Sequence, residues 1–190
     1  MVSRKTTMFV GLDLSLTCTG FCAIYDRKLR IEAIKFDKHS GTRVDKCLKI
    51  AKRIKDLVTG NSVIFIEDYA YGVGKGANSL AQLGELNGIV KAVLSAYTGH
   101  APYEISISTW KKFLCGKHNL NKDEFKMQVF KKFGVECQTN DEAAAVGLAD
   151  FGYSLVNEEA FNYREFTKYE LEAVNNFGKS KEKKKRKAKK

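Results

Sequence analysis

Two carboxylates occupy positions where carboxylates are seldom found. Asp13 sits in Met8–Ser15 (MFVGLDLS), an almost wholly apolar run, and Glu67 lies near the end of a second, Ser62–Asp68 (SVIFIED). Runs this apolar read as strands covered on both faces. Aspartate is depleted in strands, and a buried carboxylate without a partner is costly. Alternation puts Asp13 on the face of Phe9 and Gly11, and Glu67 on the face of Val63 and Phe65, with Asp68 on the opposite one. Two ionised acids on neighbouring central strands need a counter-charge. A divalent metal supplies it, and oxygen-only ligands favour Mg²⁺ or Mn²⁺ over zinc. For either acid alone, a strand-end carboxylate bonded to a turn is the ordinary alternative.

Asp141 is the third candidate. It stands in the first turn of a helix, where the dipole favours acids whatever their role. Its functional reading requires that helix N-terminus to approach Asp13 and Glu67. Glu142 has a plainer task as capping-box partner of Thr139. Lys122 opens the preceding helix, where a cation is disfavoured, so a phosphate is a candidate partner; an exposed surface lysine is the alternative.

The elements that must position these residues are legible in outline. Gly20–Asp26 and Arg30–Phe36 follow the first run after short polar breaks, forming an antiparallel meander with it. Residues 43–58 have helical spacing at Val44, Cys47, Leu48, Ala51, Ile54 and Leu57. Residues 78–97 predict a long helix with Leu80, Leu83, Leu86, Val90, Val93 and Leu94 inward, and with Gly84 and Gly88 allowing close approach. Tyr103–Ile107 is the fifth strand. Asn121 caps a helix that buries Phe125, Val129, Phe130 and Phe133 and ends at Gly134. Thr139 caps an alanine-rich helix to about residue 156. The order is β-β-β-α-β-α-β-α-α, an α/β unit with a mixed sheet. Residues 158–178 form a C-terminal extension, an amphipathic helix or a partner surface with Phe161, Phe166, Tyr169, Leu171 and Val174 apolar.

The formal charge of +11 is unevenly spread. Residues 179–190 (KSKEKKKRKAKK) hold nine Lys or Arg and one Glu, +8 in all, which leaves 11 − 8 = +3 for the rest. That tail should be disordered and suits a polyanion, nucleic acid before an anionic membrane surface. No apolar stretch approaches the ~20 residues of a membrane helix. The run Met8–Leu16 is short, carries Asp13 and lacks a cleavage site, so cytoplasmic residence is the default. Five cysteines at 18, 22, 47, 115 and 137 include no CxxC pair. They read as buried small hydrophobes in a reducing compartment, with zinc ligation as the alternative.

Five segments together resemble a known family: GLDLSLTCTGFCAI (11–24), IFIEDYAYG (64–72), LAQLGELNGIVKAVL (80–94), ISISTWKKFLCGKHNLNKDEF (105–125) and NDEAAAVGLADFGY (140–153). In this order and spacing, over about residues 8–155, they resemble the RuvC-type Holliday junction resolvases, especially the compact bacteriophage versions. The resemblance implies a ribonuclease-H-like α/β fold over residues 1–157, with a five-stranded mixed sheet flanked by helices. It implies a homodimer acting on branched DNA, with two Mg²⁺ per site (Mn²⁺ as a substitute), and host cytoplasm as the location if the chain is phage-encoded. Asp13, Glu67 and Asp141 match the family's metal-binding acids, and Lys122 matches its assisting lysine. The reaction implied is two-metal phosphodiester hydrolysis leaving 5′-phosphate ends. Tyr69, Tyr71 and the loop 72–78 follow Glu67, where they would touch the junction or simply form a glycine-rich loop.

One departure matters. The family reads D-E-A-D-A where this chain reads Asp141-Glu142-Ala143-Ala144-Ala145, so Ala144 stands at the expected fourth acid. Glu142 is about 100° from the Asp141 face and Asp150 about 180°, so neither substitutes. Three explanations fit: a natural inactive or weakened homologue, a three-acid site, or an introduced Asp→Ala substitution, which the intact surroundings favour. The rival functions are an inert branched-DNA-binding protein, another ribonuclease-H-like nuclease acting on RNA–DNA hybrids, and an actin-like phosphotransferase. The last needs two such domains.

Overall fold

A computed structural model describes residues 7–36, 41–68, 76–117, 121–156 and 165–177. Residues 69–75 and the tail 179–190 lie outside them, and with them Tyr69, Tyr71 and most of the loop 72–78; Gly76 caps the next helix.

β1 (Met8–Asp13), β2 (Cys18–Tyr25) and β3 (Lys28–Lys35) form the meander, and Asp26 and Arg27 turn its second hairpin with positive φ, as a two-residue hairpin turn requires. β4 (Ser62–Asp68) lies parallel to β1, and β5 (Tyr103–Ser106) parallel to β4. The sheet order is β3-β2-β1-β4-β5, which places β1 and β4 at its centre.

Helices cover both faces. α1 (Arg43–Leu57) and α2 (Ala77–Thr98) pack Ile50, Ile54, Leu86, Val90 and Leu94 against Val10, Leu12, Ile64 and Ile66. On the other face, α5 (Asn140–Val156) lies against Phe9, Cys22 and Phe65, flanked by α3 (Ile107–Cys115) and α4 (Lys122–Phe133). The approach of α5 is close. A Cβ at Gly11 would stand 2.1 Å from the Ala145 carbonyl oxygen, and one at Gly152 2.2 Å from the Phe65 ring. Residues 168–177 form a further helix, α6, seated by Phe177 edge-on to Phe151 and by Phe166 near Phe113. Lys132 locks it down: its Nζ is 2.8 Å from Asp150 Oδ2 and 2.6 Å from Glu170 Oε1, and both carboxylates are buried.

Several expectations are corrected. The strand Tyr103–Ile107 stops at Ser106, whose hydroxyl accepts from the Thr109 N–H and caps α3, a helix the sequence reading omitted. Phe130 is exposed rather than buried, as are Val44 and Leu48 of α1. Leu80, Leu83 and Val93 are only half-buried, and a Cβ at Gly88 would meet nothing within 4 Å, so that glycine serves no close approach. The capping box of Thr139 with Glu142 forms, and the Asn121 cap goes further than expected by making a capping box with Glu124.

Candidate active site

The register pairs Leu12 with Ile66 across the parallel centre of the sheet. The next residues, Asp13 and Glu67, therefore come level at the carboxyl ends of adjacent strands, where the backbones run about 4.8 Å apart. Both side chains take the α5 face, the face of Phe9 and Phe65. They line a pocket of about 190 Å³ with Ile107, Trp110 and Lys111 of α3, Asn121 and Phe125 at α4, and Asn140 and Ala144 of α5. Sheet edge, three helices and two acids thus converge at one crevice, the usual place for a ligand on an open α/β sheet.

Ala144, the position where the sequence led us to expect a fourth acid, lines this pocket with Asp13 and Glu67 and puts a methyl group there. Asp141 stands in the first turn of the same helix, but its side chain does not line the pocket. Its carboxylate accepts from the Cys18 thiol, and burial together with the Asp141 charge and that bond pushes the thiol pKa up. Lys122 is the first residue of α4, next to the pocket residue Asn121; its side chain lies outside the described residues. Asp150 is on the far side of α5, committed to Lys132. Among the described residues, no group of three or more His, Cys, Asp or Glu side chains is gathered closely enough to hold a metal.

Two residues at the site escaped the sequence reading. Trp110, almost fully buried, donates its indole N–H to Glu67 Oε2 at 3.1 Å. The carboxamide oxygen of Asn140 is buried and has no hydrogen-bond partner among the described residues. The signal for Asn140 was its spacing, four residues before Ala144 and so on the same helical face. The signal for Trp110 was its place in an amphipathic stretch with Phe113 and Leu114. Buried carbonyl oxygens are almost always satisfied. Two carboxylates and an orphaned carbonyl oxygen form an all-oxygen donor set that fits a hard divalent cation.

Comparison with solved structures shows the architecture is shared. Thermus thermophilus RuvC matches with a TM-score of 0.59 at 18% identity, covering 75% of this chain and 90% of that one. The fold is that of RuvC. RuvC from the same organism in complex with a Holliday junction substrate matches with a TM-score of 0.62, again at 18% identity and covering 75% of this chain and 90% of that one. The yeast mitochondrial Holliday junction resolvase Ydc2 is more distant, with a TM-score of 0.45 at 14% identity over 74% of this chain and 75% of that one. No family model matches the chain, and no curated protein does. The five-stranded mixed sheet expected from the sequence is thus the RuvC sheet. Among the described residues, no helix is long and apolar enough to cross a membrane.

Proposed function

We propose that this protein is a structure-selective endonuclease that cuts four-way and other branched DNA junctions, working as a homodimer. The observation that carries the reading is the pair Asp13 and Glu67, level at the carboxyl ends of the two central strands of a RuvC fold, with Ala144 facing them. Residues 1–157 form the nuclease domain, 158–178 the helical extension and 179–190 a basic tail that adds phosphate contacts.

In the reaction, a water oxygen bonds to phosphorus, the P–O3′ bond breaks, and the departing oxygen takes up a proton. The products are a 3′-hydroxyl and a 5′-phosphate. Asp13 and Glu67, with the Asn140 carboxamide oxygen, would hold divalent cations, Mg²⁺ or Mn²⁺, two per site. Such ions supply charge stabilisation for the phosphoryl oxygens and acidify bound water. Asp141, in the first turn of α5 and beside Cys18, is the third acid of this reading. Lys111 lines the pocket, where it is placed to meet phosphate oxygens, and Lys122, the first residue of α4, is the second lysine of this reading. A twofold dimer presents two such sites symmetrically, which suits paired nicks across a junction.

Ala144 leaves the acid set short, so this chain should bind junctions better than it cuts them. The test is incubation of synthetic four-way junctions with the chain and with Ala144→Asp, in Mg²⁺ and in Mn²⁺, beside duplex and RNA–DNA controls. Symmetric nicking by Ala144→Asp alone supports a resolvase disabled at one ligand. Tight junction binding without cutting by either identifies an inert binding protein. Cleavage of hybrids without junctions, or no preference for the junction at all, overturns the reading.

A further inference from the structure

We infer that Trp110 is the positioning residue of this site: its indole N–H fixes the Glu67 carboxylate in the orientation that receives a divalent cation. The inference rests on the metal-site reading above and adds a residue to it.

The indole is held by its surroundings on several sides. On α5, Gly147 leaves room for it: a Cβ there would stand 2.9 Å from Trp110 Cε3 and 3.2 Å from Leu114 Cδ2. On α4, the Phe125 ring lies 5.1 Å away, centroid to centroid. The ring is 1% exposed, yet Trp110 lines the pocket and its N–H meets Glu67 Oε2 at 3.1 Å. Buried indole N–H groups do seek partners; here the partner is one of the two acids that define the site. Glu67 has several rotatable bonds, and in water its carboxylate would sample many orientations. An N–H on one oxygen removes most of that freedom and leaves the second oxygen directed by the first. Outer-sphere donors of this kind orient metal ligands, and their loss weakens metal binding by about 10- to 100-fold.

The chain contains one tryptophan, so its indole N–H gives a single, unambiguous NMR resonance. The decisive substitution replaces Trp110 with β-(3-benzothienyl)alanine, in which sulfur takes the place of N–H at nearly the same shape. Mn²⁺ binding is then followed by electron paramagnetic resonance on the full chain without DNA, with and without Ala144→Asp. We expect the isostere to weaken Mn²⁺ binding by about 10- to 100-fold while leaving the thermal midpoint nearly unchanged. Gly147→Ala, which presses on the indole from α5, should weaken it in the same direction. In the parent chain, Glu67→Gln should shift the indole N–H resonance and Mn²⁺ should broaden it.

Glu67→Gln calibrates the result. If Glu67→Gln weakens Mn²⁺ binding and the isostere does not, Trp110 is only packing and the inference is overturned while the site reading stands. If Glu67→Gln itself leaves binding unchanged, the metal-site reading fails and this inference with it.

Discussion

Gly20→Ala tests whether α5 is seated on the sheet closely enough to build the site. Gly20 is the direct cross-strand partner of Asp13, so a methyl group there points to the face that Asp13 uses. That Cβ would stand 1.9 Å from the Asp141 carbonyl oxygen, 2.2 Å from its carbonyl carbon and 2.8 Å from the Glu142 nitrogen. All three are backbone atoms of the first turn of α5, so no side chain can swing away. Contacts this close are not tolerated, and the start of α5 must lift by about 1 Å, carrying Asn140, Asp141 and Ala144 with it. Overpacking costs about 1–3 kcal/mol, and a backbone target puts this case near the top of that range. For a chain of this size, about 3 kcal/mol lowers the melting midpoint by about 6–12 °C. A 1 Å misplacement at a reacting centre can cost about 100-fold in rate. Junction nicking by Ala144→Asp should therefore fall by about that factor when Gly20→Ala is added. Gly88→Ala is the control. That glycine lies within α2 with nothing within 4 Å of its virtual Cβ, so the same substitution should stabilise by about 0.5–1 kcal/mol and leave nicking unchanged. The assay is calorimetry on the single variants and a nicking time course on the doubles. A Gly20→Ala midpoint within a degree of the parent, together with undiminished nicking, would refute the close seating of α5.

Other consequences concern stability and DNA binding. Lys132→Met strands two buried carboxylates, Asp150 and Glu170; it should cost about 3–5 kcal/mol in urea unfolding, most of it recovered by adding Asp150→Asn and Glu170→Gln, and a loss under 1 kcal/mol would mean the cluster does not hold α6. Burial raises the Glu170 pKa, but bonds from Lys132 and Thr167 outweigh it and hold the carboxyl below its ordinary 4.5. A lowered carboxyl stabilises the fold above its unfolded pKa and loses that stabilisation as pH falls through the folded value. The stability gap between the parent and Glu170→Gln should therefore be full above about pH 4.5 and close in more acid solution; a gap that persists in strong acid contradicts the pairing. Deleting residues 179–190 removes nine cations and should flatten the log–log salt dependence of junction binding by up to about 8; an unchanged slope means the tail does not meet phosphates.

What could be read from the sequence depended on how local the governing physics is. The placement of Asp13 and Glu67 on one face was legible because strand alternation has a period of two and both strands are short and apolar. The N-cap at Asn121 and the capping box at Thr139 were legible because the groups involved lie within three residues of each other. The helix α3 was not, since its first residue, Ile107, continues the Tyr103–Ile105 alternation of β5, and nine residues give little periodicity. Its cap, Ser106, and its terminating Gly116 were present in the sequence and carried the missing signal. Phe130 looked like part of an apolar face, but α4 rests on α3 and α5 through Phe125 and Val129, leaving Phe130 outside. The direction of Asp141 was not legible at all. A helix position fixes where a side chain starts, whereas the groups it meets, among them Cys18 more than a hundred residues away, decide where it ends.

That last contact also bears on the chemistry. Asp13 and Glu67 already place two carboxylates at one pocket, eased by the Trp110 N–H and by Lys111 beside them. The N-terminus of α5 would ordinarily add partial positive charge, but the carboxylate of Glu142 already engages the Thr139 N–H there. A third carboxylate pointing inward would meet two like charges in a partly desolvated crevice. With Asp141 beside the Cys18 thiol that repulsion is relieved, while burial first and the Asp141 charge second raise the thiol pKa. A divalent cation held by Asp13 and Glu67 would tip this balance, because positive charge there would attract the Asp141 carboxylate. Loading the site should therefore lower the Cys18 pKa, which thiol alkylation rates measured across pH with and without Mg²⁺ would show; a Cys18 pKa indifferent to Mg²⁺ would leave Asp141 outside the metal site.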